Sequence, residues 1–198
     1  MSDTTIVETT LTHVINAPIE RVDIASWLFN LPNGEYQRCC PGAHIAAGTS
    51  VSEDGRPMSI NVEMIGDSLM IQEYVGEVAE PHHCRMVSLS PVFTGQDRTT
   101  TEVVWDLSVR RVDDESCEFA NYVKGSATDE FLSFLAKRGL TFDQVVGARR
   151  DATLAHNRIE TPLFAQSIER YALASDGDPM RSVEGVRAGA GPDARLDH

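Results

Sequence analysis

One stretch decides the fold: residues 141–164, which read TFDQVVGARRDATLAHNRIETPLF. At about 100° per residue, this pattern predicts a helix with one continuous apolar stripe along one face. The stripe consists of Phe142, Val145, Val146, Ala152, Ile159, Leu163 and Phe164. Thr141 is placed to cap the helix. Pro162 is expected to kink or stop it, or Thr161 and Pro162 could start a fresh segment that runs to about residue 174. Helices therefore close the predicted domain.

His156 and Glu160 lie four residues apart within this helix. Residues at that spacing share one helical face, one turn apart, and both fall inside the stripe, so we expect them to face the interior. A buried carboxylate is costly unless it is paired or bound to a metal, and an imidazole and a carboxylate so placed can bind zinc. Two alternatives stay open: a solvated or purely structural pair, and a pairing with Arg149, which also falls on the stripe.

Composition narrows the class of protein. The chain has 198 residues, 41% of them hydrophobic, and a formal net charge of −13. One domain with a sizeable core is expected. The acidic balance argues against nucleic acid and anionic membranes as partners, and no apolar run is long enough to span a bilayer or to form a signal segment. We expect a soluble, cytoplasmic protein with its four cysteines reduced.

The remaining elements are read from periodicity and turn signals. A strand is predicted over 4–15 and a helix over 19–31, followed by an irregular stretch over 36–48. Five strands are predicted over 59–65, 69–78, 84–90, 99–112 and 117–124. Thr128 caps a further helix that Gly139 ends. The polar composition of 175–198 indicates a disordered tail, which leaves a domain over 1–174.

This order predicts an α+β helix-grip fold, in which a curved antiparallel sheet wraps a long C-terminal helix and leaves an internal cavity. Residues 15–22, INAPIERV, also resemble the first strand-to-helix corner of the START and Bet v 1-like (SRPBCC) superfamily. In such a fold the inward face of the last helix lines the cavity. His156 and Glu160 would then point into the pocket.

Further metal ligands are sought because a zinc site needs more than two. His44 follows the predicted first helix. Glu63 shares one strand face with Asn61 and Ile65 by alternation, although Glu73 and Glu77 on the next strand are alternatives. The adjacent residues 82–84, His-His-Cys, follow a proline and are expected in an exposed loop.

The chain resembles the phloretin hydrolase and 2,4-diacetylphloroglucinol hydrolase family, zinc enzymes with a Bet v 1-like fold. The motifs that carry the resemblance are 26–29 (SWLF), 36–44 (YQRCCPGAH), 63–66 (EMIG) and the final His-x-x-x-Glu. It implies a zinc site made of His44, Glu63, His156 and Glu160, with Tyr36 as a catalytic residue. The chain is shorter than those hydrolases and departs from them at 39–40, where cysteines replace an aromatic residue and a histidine, and at 46–47, where alanines stand in place of a polar residue.

The resemblance implies a zinc-dependent hydrolase that cleaves a carbon–carbon bond in an acylated phenolic or dione-like ring compound. Tyr122 is the second catalytic candidate, with Asn121 and Tyr74 as further strand residues that could transfer protons. The alternative is a metal-free protein that binds a small hydrophobic ligand or acts like a polyketide cyclase. In both cases the partner is a small hydrophobic or aromatic molecule in the cavity, and the chain could form a homodimer. No phosphate-binding loop, dinucleotide fingerprint or nucleophile elbow is present in the sequence.

Overall fold

Seven strands and four α-helices make up the fold in the computed structural model, which describes residues 4–174. The predicted tail over 175–198 lies outside the described residues. A single 3-10 turn, Ile19–Arg21, precedes the first helix. The elements are β1 (Thr5–Ile15), α1 (Ile24–Phe29), α2 (Asn33–Cys39), β2 (His44–Val51), β3 (Pro57–Ile65), β4 (Ser68–Glu80), β5 (His83–Thr94), β6 (Asp97–Arg111), β7 (Cys117–Ala127), α3 (Asp129–Lys137) and α4 (Phe142–Leu173).

All strands belong to one antiparallel sheet with the order β1-β7-β6-β5-β4-β3-β2. Buried and more exposed residues alternate along β3 to β7, as expected for a sheet that is covered on one face only. The sheet is curved and wraps around α4. The predicted helix-grip fold is therefore confirmed. No helix in residues 4–174 is long and apolar enough to cross a membrane.

Helix α4 begins as predicted, with Thr141 and Gln144 forming a reciprocal capping box. Of the outcomes expected at Pro162, the stop and the fresh segment are wrong, because α4 continues through the proline to Leu173. Phe164 and Ile168, beyond the proline, are almost completely buried. Their packing outweighs the one backbone hydrogen bond that a proline removes from a helix.

The predicted stripe of α4 also needs a correction. Ile159 is 52% exposed, whereas His156 and Glu160 are buried. The buried face in the middle of the helix is polar, since Asn157 and Thr161 are buried beside them. Hydrophobicity alone therefore misplaces the centre of this face.

Two predicted segments near the N-terminus differ from the structure. The helix predicted over 19–31 is divided, because Asp23 accepts a hydrogen bond from the Ser26 backbone N–H at 2.8 Å and caps a new helix, α1. The stretch predicted to be irregular over 36–48 contains most of α2 and the first half of β2. A turn at Gly42, with φ of 84°, separates the two elements.

Candidate metal site and cavity

A cavity of about 360 Å³ lies between the inward face of the sheet and α4. Its lining is mainly apolar, with side chains such as Met70, Val103 and Trp105. Three of the four predicted metal ligands, Glu63, His156 and Glu160, also line it. A mainly apolar cavity with a few convergent polar groups is the usual form of a small-molecule site.

The fold brings the four predicted ligands together. His44 begins β2 and pairs with Glu63 on β3, while α4 presents His156 and Glu160 one turn apart. One ligand atom from each of the four lies within 4.8 Å of the others, and all four residues are buried. The predicted alternation of β3 is correct for Glu63. The alternatives Glu73 and Glu77 are exposed on β4.

The spacing of the four atoms fits a metal better than hydrogen bonds. Glu63 Oε2 lies 3.5 Å from His44 Nε2 and 3.3 Å from His156 Nε2, and Glu160 Oε2 lies 3.3 Å from each of those nitrogens. Neither Nε2 has a hydrogen-bond partner, although both atoms are buried. Ligand atoms about 2.0–2.1 Å from a tetrahedral zinc lie about 3.3–3.4 Å apart, whereas N–H···O hydrogen bonds are shorter, at about 2.7–3.2 Å. The donor set therefore fits a zinc ion.

Tyr36 orients two of these ligands. The His44 Nδ1 lies 2.7 Å from the Tyr36 carbonyl oxygen, and a hydrogen on Nδ1 leaves the lone pair of Nε2 facing the other ligands. The Tyr36 ring stacks on the His44 ring, with their centroids 3.9 Å apart. The Tyr36 hydroxyl donates a hydrogen bond to Glu63 Oε2 at 3.0 Å. One side chain of α2 thus positions one ligand on β2 and one on β3.

Glu160 is oriented by the sheet. The Asn121 amide on β7 donates to Glu160 Oε1 at 3.2 Å and to the Thr161 hydroxyl at 3.0 Å. Trp105 Nε1 donates in turn to the side-chain oxygen of Asn121, Oδ1, at 2.8 Å. This chain of contacts leaves Glu160 Oε2 directed at the two histidines. Such supporting hydrogen bonds are typical of metal ligands.

His156 meets a cysteine with its second ring nitrogen. Its Nδ1 lies 3.8 Å from Cys40 Sγ, so Nε2 remains for the other three ligands. Cys40, His44 and His156 form a second set of potential ligand atoms. The neighbouring thiol, Cys39, is buried and its pKa is raised to about 12 by burial. Cys39 is therefore not a nucleophile at neutral pH.

Burial and charge set the protonation of the site. Burial, together with the charges of Glu63 and Glu160, raises the pKa of Tyr36 well above its usual value, so its hydroxyl keeps its proton at neutral pH. Burial by itself opposes the charged forms of His156 and Glu160. Their mutual attraction prevails, because it raises the pKa of His156 and lowers that of Glu160. Glu160 is thus ionised, which is the form that a metal ligand needs, whereas His156 must release its proton before it can bind a metal.

Other candidates lie elsewhere. The structure does not bring Tyr122 to the site: its hydroxyl donates to Glu8 at 2.9 Å on the outer face of the sheet. His82 is exposed, as predicted, but His83 starts β5 and contacts Asp106. Arg149 lines the cavity and makes no ion pair among the described residues. The alternative in which Arg149 pairs with a carboxylate of the stripe therefore does not occur among the described residues.

Three supporting residues were not singled out as site residues by the sequence. In the sequence, Cys40 stands out only as a departure from a family motif. Asn121 is only one of several strand residues that could transfer protons. No local sequence pattern identifies Trp105, because its role depends on a contact with Asn121 on the neighbouring strand. A lone amide between the inward-facing Phe119 and Val123 is the signal that could have identified Asn121.

No family model matches the chain, and no curated protein matches its sequence. Among solved structures, a conserved protein from Geobacillus kaustophilus superposes with a TM-score of 0.51 at 10% identity, over 84% of this chain and 95% of its own. The Zhui aromatase/cyclase from Streptomyces superposes with a TM-score of 0.50 at 11% identity, over 83% and 92%. A START superfamily protein from Mycobacterium smegmatis gives a TM-score of 0.41 at 12% identity, over 77% and 97%.

Identities this low establish a fold and nothing finer. The first two of these structures superpose over 84% and 83% of this chain, so they share its arrangement of sheet and helices. The chain has the helix-grip fold of the START and Bet v 1-like proteins.

Proposed function

We propose that this protein is a metal-dependent enzyme that transforms a small, mainly apolar or aromatic molecule in the cavity. His44, Glu63, His156 and Glu160 would hold the ion, and a set of imidazole and carboxylate ligands suits zinc. One observation carries the proposal: two buried histidine nitrogens without hydrogen-bond partners face two carboxylate oxygens at 3.3–3.5 Å.

The reaction we propose is hydrolysis of a carbon–carbon bond between a phenolic or dione-like ring and an acyl group. Its basis is the resemblance to the phloretin hydrolase family. The bond from the ring carbon to the acyl carbon breaks, the hydroxyl of a water joins the acyl carbon to give a carboxylic acid, and a proton goes to the ring carbon. A bound zinc ion would supply a Lewis acid that polarises an oxygen of the ligand.

Tyr36 is the tyrosine that we assign to this chemistry. It lines the cavity beside the four ligands, and its raised pKa keeps the phenol protonated. Its single hydrogen points at Glu63 in this structure, so the hydroxyl oxygen can accept a hydrogen bond from a ring hydroxyl, or can pass its proton to the ligand once the bond to Glu63 breaks. Tyr74 also lines the cavity and keeps its proton because burial raises its pKa. Tyr122 has no part in the proposal because it lies on the outer face.

The first test is the metal content of the purified, tag-free protein by elemental mass spectrometry. We expect about one zinc per chain in the wild type, and loss of that zinc in the Glu63→Gln and Glu160→Gln variants, which keep the shape of each side chain. Glu73→Gln is the matched control, since Glu73 is exposed on the strand next to Glu63. Metal-loaded protein is then assayed with acylated phenols. A folded wild type without metal, or full metal retention in both site variants, would refute the metal site.

The second candidate is a metal-free protein that binds a hydrophobic ligand or acts like a cyclase. The mainly apolar cavity supports it, and the aromatase/cyclase with a similar fold motivates it. The two candidates differ in a measurable way. Without a metal, the Glu63→Gln variant keeps the ligand affinity of the wild type and no zinc is bound in either protein.

A further inference from the structure

Arg149 is the one arginine or lysine among the described residues that line the cavity. Its guanidinium carbon lies 4.9 Å from the centroid of the Phe131 ring. Asp67, in the turn between β3 and β4, acts on it electrostatically, but no carboxylate of the described chain forms an ion pair with it. Burial lowers the pKa of Arg149 because the cation loses water, and Asp67, an exposed residue that also lines the cavity, offsets only part of this effect. A half-buried arginine without a carboxylate partner is ready to bind an anion.

Arg149 lies far from the candidate metal site. It precedes His156 by seven residues on α4, which is close to two full turns, so both residues share one face about 10 Å apart along the axis. Ala152 and Thr153, between them, also line the cavity. The cavity therefore has a cationic end and a metal-ligand end.

A second polar group belongs to the cationic end. Thr101 on β6 lines the cavity, is 4% exposed, and its hydroxyl has no hydrogen-bond partner. Its neighbour across the ladder is Ala127, which packs in one cluster with Phe131, the residue beneath Arg149. Trp105 lies at the opposite end, where it contacts Asn121. It is four positions from Thr101 along β6, a distance of about 13 Å. An unpaired buried hydroxyl that lines a cavity indicates a missing hydrogen-bond partner.

We propose that Arg149 binds a carboxylate of the cavity ligand, with the Thr101 hydroxyl donating a hydrogen bond at the same end. The preferred ligands are elongated, mainly apolar acids whose carboxylate lies about 10 Å from the His156 end of the cavity. The apolar side chains between the two ends contact the body of such a ligand. This assignment does not rest on the proposed zinc chemistry, because a metal-free binding protein would use the same group.

Biphenyl-4-carboxylate and biphenyl-4-carboxamide are the probes for this site. They match in shape and differ in charge. Binding of each to the full-length protein is followed by quenching of tryptophan fluorescence, since Trp105 lines the cavity, and by calorimetry. A charge-assisted hydrogen-bonded pair predicts that the wild type binds the acid about tenfold or more tightly than the amide.

The Arg149→Gln variant should reduce this preference to about twofold or less, while Arg149→Lys, which keeps the charge, should retain part of it. Arg150→Gln is the matched control, because Arg150 is exposed and faces Asp151; it should keep the full preference. Equal binding or no binding of the two probes by the wild type overturns the proposal. A preference that persists in Arg149→Gln also overturns it and locates the carboxylate elsewhere.

Metal content is measured on the same samples. If Arg149→Gln loses the preference for the acid but keeps the metal content of the wild type, the cationic end acts independently of the metal-ligand end. A wild type that holds no metal but still prefers the acid through Arg149 supports this inference and refutes the zinc proposal. A wild type that holds zinc but does not prefer the acid supports the zinc proposal and overturns the assignment of Arg149.

Discussion

Tyr36 has the most contacts with the candidate site of any residue outside the ligand set. Its carbonyl oxygen meets His44, its ring stacks on the same imidazole, and its hydroxyl donates to Glu63. Removing the hydroxyl alone keeps the first two contacts and frees one carboxylate oxygen. The contribution of the hydroxyl to metal binding can thus be measured separately.

We predict that Tyr36→Phe keeps the fold but weakens zinc binding by about tenfold to a hundredfold, because hydrogen bonds to metal ligands usually contribute that much. Competition with a chromophoric chelator measures the affinity. Tyr122→Phe is the control, since it also removes a tyrosine hydroxyl bonded to a glutamate, but on the outer face. Unchanged affinity in Tyr36→Phe, or an equal loss in Tyr122→Phe, would contradict the supporting role of Tyr36.

Individual site residues differ in how far the sequence reveals them. His156 and Glu160 follow from helical spacing. Strand alternation makes Glu63 a candidate beside Glu73 and Glu77, and the family resemblance selects it. His44 depends on the family resemblance, because its neighbours were predicted to be irregular. Tyr122 was misassigned because side chains on a strand alternate between faces, and it follows Asn121, which points inward.

At the scale of elements, the turn between β3 and β4 closes directly on α4. Gly66 in this turn has a φ of +63°, and a Cβ built on it would lie 3.2 Å from the Ala152 Cβ. Gly95, in the turn between β5 and β6, has the same φ but nothing within 4 Å of such a Cβ. Comparing substitutions at the two glycines therefore distinguishes the cost of left-handed backbone strain from the added cost of close packing against α4.

We predict that Gly95→Ala destabilises the protein by about 1–2 kcal/mol through left-handed backbone strain alone. Gly66→Ala should cost about 1 kcal/mol more, because the turn must also move away from α4. Urea denaturation, with equal slopes for both variants, measures the difference. Equal losses of stability in the two variants would show that the turn yields to the added methyl group without cost.

Elements with a strong local pattern were predictable, and those held by distant contacts were not. The strands from β3 to β7 alternate, and Thr141 caps α4, so both follow from neighbouring residues. Helix α2 is short, and its buried Glu35 forms an ion pair with Arg170 near the other end of the chain. No local pattern reveals such a partner, so the sequence predicts an irregular stretch over 36–48, where the structure has most of α2 and the first half of β2.

At the scale of the molecule, the order of strands and helices was enough to predict the helix-grip fold. The volume and the chemistry of the cavity were not predictable, because they depend on which side chains meet across the sheet and α4. The candidate site adds a connection that the backbone lacks: it links the edge strand β2 and its neighbour β3 to the middle of α4.

This connection predicts where stability depends on the metal. A ligand that binds only the folded state at a hundred times its dissociation constant adds about 2.7 kcal/mol to the free energy of unfolding. Removing zinc with a chelator should therefore lower the melting temperature. It should also increase amide hydrogen exchange in β2, in β3 and around His156, because the two carboxylates and two imidazoles lose the ion that binds them together.

Strands β6 and β7 lie farther along the sheet, and residues 101–111 of β6 pair with the whole of β7, so their exchange should change least on chelation, except near Trp105 and Asn121, which support Glu160. The Glu160→Gln variant is the control for effects of the chelator itself: if it cannot hold zinc, its exchange pattern should be the same with and without chelator. A uniform rise in exchange across the sheet would indicate global destabilisation instead of a local link. No change in the wild type would mean that the four buried side chains are held by their own ion pairs, as the metal-free candidate requires.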